Sequence, residues 1–234
     1  STVTNNDGSI SSQVRASSTA GFSIITWTGT GSNLTIGHGL GVKPTAHITT
    51  ARSGSSGCDW FVYFSVLGAE KNLRWNNTSS LGDTANLYND TEPTSSVITI
   101  GNSSCINENG GTYVTYAFSD VEGYCKTGTY NGNGASNGSF VFLGFRPAWI
   151  MVKRTNGTEN WAIWDYKREG INPNGHMLRP DSSTDEGGDV SGHHIDLLSN
   201  GFKLRNTDTK GNGNNDTYIY FAFAEQAYKH ARAR

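Results

Sequence analysis

Thr112-Tyr113-Val114-Thr115-Tyr116-Ala117-Phe118 returns 105 residues on, from 112 to 217, as Thr217-Tyr218-Ile219-Tyr220-Phe221-Ala222-Phe223. Each copy alternates strictly. Tyr113, Thr115 and Ala117 point to one face, and Val114, Tyr116 and Phe118 to the other, which is the period of a strand. Upstream, other blocks recur in the same order. Gly41-Val42-Lys43-Pro44 is answered by Gly144-Phe145-Arg146-Pro147 at an offset of 103 (41 to 144), and Asp59-Trp60 by Asn160-Trp161 at 101 (59 to 160). Thr26-Trp27-Thr28-Gly29-Thr30-Gly31 is answered by Thr129-Tyr130-Asn131-Gly132-Asn133-Gly134, again at 103 (26 to 129). Gaps fall between blocks and never inside them, as in a duplicated unit whose loops have drifted.

The repeat sets the expected organisation. Residues 1–20 are polar, with Val14 the one large apolar residue after Ile10, and they read as a linker or arm. Residues 21–120 are the first β repeat. Residues 121–234 are the second, closing on a short tail from Ala224. Short β-branched and aromatic runs such as Phe22–Trp27, Trp60–Phe64, Val97–Ile100 and Ala148–Lys153 are separated by Gly, Asn and Ser turns. Asn156-Gly157 reads as a type I′ hairpin turn. No stretch keeps a 3.6-residue period. The fold class is therefore all-β with little helix: an internally duplicated β-sandwich or jelly-roll-like unit in two copies of about 100 residues each.

Composition narrows the function classes. Charged residues make up 16% and net charge is −2, so no phosphate-binding face is present and nucleic acid is not an expected partner. Aromatics reach 11%, which argues for packed structure against disorder. No apolar run approaches the ~18 residues of a membrane-spanning helix, so no membrane insertion is expected. The sequence starts at Ser1 with no signal-peptide core, and reads as a processed product or the ordered end of a longer polypeptide. Cys58, Cys105 and Cys125 show no Cys-x-x-Cys spacing and read as three buried, reduced thiols, with one disulfide and a spare as the alternative.

A family resemblance rests on several phrases taken together. These are Asp7–Ala16, Phe22–Trp27, Gly37–Pro44, Asp120–Tyr124 with Gly128–Gly134, Gly144–Arg154, Ser199–Lys203 and Ala222–Glu225. Over nearly the whole chain they resemble a domain family of unassigned function, found at the C-terminal ends of large structural proteins of marine bacteriophages, often downstream of concanavalin-like domains. The resemblance implies a place on the virion surface, in a tail fibre, spike or capsid fibre. It implies other virion proteins as partners and a homo-oligomer, with a trimer favoured. It carries over no catalytic residues.

Residue chemistry points more to binding than to catalysis. Trp75 sits in a polar context, Leu73-Arg74-Trp75-Asn76-Asn77, near Tyr88-Asn89-Asp90. Aromatic faces rimmed by Asn, Asp and Arg suit a sugar ring, whose C–H bonds stack while its hydroxyls bond the amides. Arg74, Trp75, Tyr88 and Asn89 are the expected carbohydrate-binding patch, facing a bacterial surface glycan or protein. Arg74 also matches Arg179 at 105, which fits a structural role equally. Trp27, Trp60, Trp149 and Trp161 lie at repeated or strand positions and read as core.

In Gly192-His193-His194-Ile195-Asp196 the two histidines alternate faces, whereas His194 and Asp196 share one. With Asp189 they form the weak metal candidate, a structural Ca²⁺ in an acidic loop, and otherwise no cofactor is expected. His38, in Gly37-His38-Gly39-Leu40-Gly41, reads as closing a turn, because no helix follows to make a nucleotide loop. Asp165, Glu159 and Glu169 flank the Trp161–Trp164 strand, but no pair of glycosidase carboxylates emerges. A polysaccharide depolymerase is thus the minor reading, and a non-enzymatic binding or purely structural fibre domain the major one.

Overall fold

The computed structural model describes residues 1–54, 57–186 and 191–225. The chain divides into two compact units, Ser1–Trp75 with Gly82–Asp120, and Asn76–Leu81 with Val121–Arg234. In the first unit the strands are β1 (Val3–Asn5), β2 (Ser12–Ser17), β3 (Phe22–Thr28), β4 (Leu34–Gly37), β5 (Ala46–Ser53), β6 (Phe61–Phe64), β7 (Lys71–Arg74), β8 (Gly82–Asp83), β9 (Val97–Ile100) and β10 (Thr112–Phe118). Single helical turns, α1 (Ala85–Tyr88) and α2 (Ser104–Asn107), sit in the connections. Antiparallel pairing builds an eight-stranded sheet, β1-β2-β3-β10-β5-β6-β7-β8, and a two-stranded sheet, β4-β9. Between them lies one core, with Ile25 and Trp27 from β3, Leu34 and Ile36 from β4, Ile98 and Ile100 from β9, and Tyr113 and Ala117 from β10. The β10 face assigned from alternation, Tyr113, Thr115 and Ala117, is the face buried completely.

The second unit contains β11 (Cys125–Asn131), β12 (Phe140–Phe142), β13 (Pro147–Arg154), β14 (Ala162–Asp165), β15 (Ile195–Leu198), β16 (Gly201–Leu204) and β17 (Thr217–Ala224), with one helical turn, α3 (Tyr166–Glu169). A four-stranded sheet, β11-β17-β13-β14, faces a three-stranded one, β12-β16-β15. Ile150, Val152, Trp164, Leu197, Phe202 and Ala222 meet between the two. The all-β class follows from these two sandwiches.

The two units share one wiring. Their central sheets run β3-β10-β5-β6 and β11-β17-β13-β14, in the same order once the sequence offsets are applied. Register agrees as well. Phe118 faces Phe22 as Phe223 faces Cys125; Tyr113 faces Ala51 as Tyr218 faces Arg154; Ala46 faces Phe64 as Trp149 faces Asp165.

A buried asparagine clasp also occurs twice. Asn107, fully buried, accepts from Thr30 N (2.8 Å) and donates to Ser32 O and Gly101 O (2.7 Å each). Asn212, also fully buried, accepts from Asn133 N (3.0 Å) and donates to Ala135 O (2.8 Å) and Asn206 O (2.6 Å). Each clasp holds the turn after the first central strand. That turn needs glycine, because a Cβ on Gly29 or Gly132 would lie 2.3 Å from a backbone oxygen, of Glu108 or Gly213. Beside each clasp a tyrosine stacks on the aromatic residue of the first strand, Tyr113 on Trp27 and Tyr218 on Tyr130.

Two expectations need correction here. Residues 1–20 are not a linker, since β2 pairs with β3 from Gln13–Thr26 to Ser17–Phe22 and β1 pairs with β2. Val14 is buried to 1%, and Ser12 Oγ donates to Gly37 O at 2.9 Å. Counting apolar side chains missed this, because a strand added to a sheet edge is ordered largely by its backbone ladder. The Asn156-Gly157 turn is also not type I′, which requires positive φ at both central residues. Neither residue has it, and β13 and β14, whose last pair is Val152 and Ala162, are joined by a long connection over residues 155–161.

Candidate functional site

The structure splits the expected carbohydrate patch. Arg74 ends β7, and the β6–β7 ladder carries on one step beyond it, with Trp75 N donating to Trp60 O at 2.9 Å. That bond sets the two indoles edge to face, 5.9 Å between centroids at 87°, a favourable aromatic geometry. Arg74 Nε lies 3.3 Å from an Asp59 carboxylate oxygen, and its guanidinium lies 5.9 Å from the Phe61 ring centroid. Asp59, Trp60, Arg74 and Trp75 thus form one corner of the first unit. Trp60 is 38% exposed there, so its assignment to the core is corrected.

Tyr88 is not in this corner. It is 2% exposed and packs edge-on against His47 and Tyr63. It belongs to the core and cannot offer a face to a ligand. Asn89 is exposed, but it is the left-handed residue that ends α1, with φ at 51°, and it accepts a hydrogen bond from Asn33 at 2.8 Å. Sequence proximity put Tyr88 beside Trp75, whereas α1 turns its ring inward.

What fixes the corner is a disulfide. Cys58 and Cys105 are bonded, with Cα atoms 5.4 Å apart, so the loop entering β6 is tied to α2. Cys125 is free and buried. The reading of three reduced thiols is therefore overturned. Sequence spacing could not reveal the pair, because the 47 residues between the cysteines fold back only in the tertiary structure.

The equivalent position in the second unit is closed. Trp161 is fully buried, and its backbone N–H donates to the Asp181 carboxylate at 3.2 Å. The segment Asn76–Leu81 lies alongside, through Glu159 N to Thr78 O and Leu81 N to Thr155 O, each 3.0 Å. Lys153, fully buried in β13, donates to Thr78 O and Arg154 O, and burial brings its ammonium down to about 8. The repeat made Trp60 and Trp161 look alike; the signal that separates them is the polar, Gly-containing run Gly57-Cys58-Asp59 before Trp60.

The remaining candidates have structural partners. Asp165 caps α3, accepting from Lys167 N and Arg168 N and pairing with Arg168 Nε at 2.5 Å. Glu169 accepts from Gly175 N at 2.8 Å, and Glu159 accepts from Thr209 Oγ1 at 2.6 Å. Of the weak metal set, Asp196 pairs with Arg205 Nε at 2.5 Å. His194 O accepts from Arg205 N and Asn206 Nδ2, and Asp189 lies outside the described residues. Among the described residues no group of three or more His, Cys, Asp and Glu is placed to hold a metal ion. His38 Nδ1 accepts from Leu40 N at 3.2 Å, which is the turn-closing role its sequence suggests.

A polar chain in the first unit runs from the buried His47 and Tyr63 to the part-exposed Glu92 and Lys43. His47, 1% exposed, stacks on Tyr63 with centroids 4.7 Å apart, and burial holds its imidazole down to about 3. Tyr63 donates to Glu92 at 2.5 Å, and Glu92 pairs with Lys43 at 2.8 Å. Burial pushes the Glu92 carboxyl up, but the bonds from Lys43, Tyr63 and Ala69 N outweigh it and leave it below the ordinary range. Burial raises the hydroxyls of Tyr63 and of Tyr88, which packs on the same His47 ring.

Two sandwiches, the first with a part-exposed indole corner, define an all-β chain. The chain belongs to the family described as a domain of unknown function, DUF7483, whose match covers residues 1–227. No curated protein and no solved structure matches it. Among the described residues no helix is long and apolar enough to cross a membrane.

Proposed function

We propose that this chain is a non-enzymatic, host-contacting domain of a virion appendage that binds glycan on a bacterial surface. The observation that carries this reading is Trp60. A half-exposed indole braced edge-on by Trp75 and flanked by the Arg74–Asp59 ion pair offers both parts of sugar recognition: a face for C–H stacking and a polar rim for hydroxyls. The disulfide supports an extracellular setting, because such bonds persist in oxidising surroundings. A trimer of such domains would add avidity to weak individual sites.

Purely structural fibre assembly has its own supporting observation. Phe140 and Phe142 on β12 are 45% and 59% exposed, and β12 is a terminal strand of its sheet, a place where a second copy could pack. One experiment separates the two. Native protein and Trp60→Ala are compared for saturable binding to intact candidate host cells, with surface polysaccharide as competitor, and each is sized in solution. Competed binding that weakens roughly 3–10-fold in Trp60→Ala, as loss of an aromatic contact predicts, supports glycan recognition. A stable oligomer that binds no cells supports the structural reading.

A further inference from the structure

We infer that a second, separate site lies in the first unit: a polar groove that takes an anionic sugar residue, with Arg52 as its counter-charge. This rests on the reading that the chain binds glycan, and adds to the Trp60 corner a site that selects for charge.

The groove exists because the N-terminal arm is part of the sheet. Its volume is about 410 Å³, within the range of small-ligand sites. Alternation along β3 sends Ile25 and Trp27 into the core, so Thr26 and Thr28 face the other way. Gln13 stands opposite Thr26 in the β2–β3 ladder, and Thr112 stands opposite Thr28 in the β3–β10 ladder. Arg52 comes from the exposed end of β5, and Ile10, Ser11 and Trp27 complete the lining. The strands therefore contribute an amide, three hydroxyls and a guanidinium.

These groups are available for a ligand. Arg52 makes no ion pair among the described residues, although four of the seven other described arginines do. No side-chain hydrogen bond within the described residues engages the Thr26 or Thr28 hydroxyls. Thr112 Oγ1 is held by Ser53 Oγ at 2.6 Å, and Gln13 Nε2 by Thr4 Oγ1 at 2.9 Å, so both are oriented in advance. A guanidinium presents a planar fork that matches a carboxylate, or a sulfate ester, through two parallel hydrogen bonds. The neighbouring hydroxyls and amide then suit the ring hydroxyls of the same sugar.

The second unit supplies an internal contrast. At the equivalent positions it has Thr129, Asn131, Thr155 and Thr217, so Thr155 stands where Arg52 would be. Among the described residues β11 ends its sheet, with no strand in the place that β2 takes beside β3. Both the wall and the charge are thus particular to the first unit.

The test uses the full chain and three polymers: a polyuronate, a sulfated polysaccharide and a neutral glucan. Affinities are measured at low and high salt for the native protein, Arg52→Gln and Trp60→Ala. The expected result is a preference for one or both anionic polymers that falls roughly tenfold or more in Arg52→Gln and whose salt dependence shrinks with it. The polyuronate and sulfate arms then say which anion the fork holds. Binding to anionic polymers that is unchanged in Arg52→Gln overturns the inference, and so does a native protein that binds the neutral glucan as tightly as either anionic one. If Trp60→Ala alone abolishes polymer binding while Arg52→Gln alters nothing, the glycan reading stands and the groove fails. If Arg52→Gln alone loses binding, the groove stands and the corner fails. Arg52 is exposed and unpaired, so its replacement leaves the fold intact; a circular dichroism spectrum and melting curve matching the native protein confirm that.

Discussion

Asn107 and Asn212 show how much a single buried amide can organise. Each joins three backbone groups that no strand ladder reaches. Truncating either to alanine leaves those groups buried and unpaired, at about 1–3 kcal/mol per group. Asn107→Ala and Asn212→Ala are therefore each expected to lower stability by about 3 kcal/mol or more, read as a shift in the urea midpoint. An exposed control such as Asn102→Ala, at a residue without positive φ, should move it far less. The pair was present in the sequence, since 107 and 212 differ by the offset of the closing strands, but an asparagine in a Gly-rich chain reads as one more turn residue. Tyr88 is the converse. Its polar neighbours suggested a binding face, and a single turn of α1 put the ring in the core.

Elements were legible where their pattern was self-contained. β10 and β17 were visible from alternation and repetition, and Pro147 heads β13, where its missing N–H does no harm. β1 and β2 were not, because their order comes from the vacant edge of β3 and not from their own side chains. The loop entering β6 depends in the same way on a partner far along the chain. Under non-reducing, denaturing conditions one thiol per chain, that of Cys125, is expected to react with a thiol reagent, and three after reduction. Replacing Cys58 and Cys105 by serine should cost roughly 2–4 kcal/mol, the scale for closing a loop of this length. It should also loosen the Trp60 corner, seen as greater quenching of tryptophan fluorescence by iodide or acrylamide.

At the scale of the whole molecule, the polar chain that starts at the buried His47 makes the protein acid-sensitive. His47 is held at about 3, against an ordinary 6.5. The unfolded chain therefore binds a proton there first, and stability falls as pH drops from about 6.5 towards 3, at up to about 1.4 kcal/mol per pH unit. His38, lowered mainly by burial, adds in the same direction. Glu92 acts lower down. Its folded carboxyl lies below the ordinary 4.5, so its contribution is complete above that value and disappears as pH falls through the folded one. Urea midpoints between pH 7 and 4 should drop steadily, and His47→Phe, which keeps a ring against Tyr63, should flatten the curve between 6.5 and 4. A midpoint independent of pH in the native protein would refute this account. By itself the sequence determined the all-β class, the positions of the central strands and the matched offsets of the two halves, because strand alternation and turn chemistry are local and a repeated pattern advertises itself. Only the tertiary structure decided the rest. It recruited the arm as two strands, joined Cys58 to Cys105, buried Tyr88 and Trp161 while leaving Trp60 open, and placed Arg52 above a row of threonines. Each of these depends on what lies across a sheet or beyond a loop, and burial is set by those distant neighbours, not by the adjoining residues.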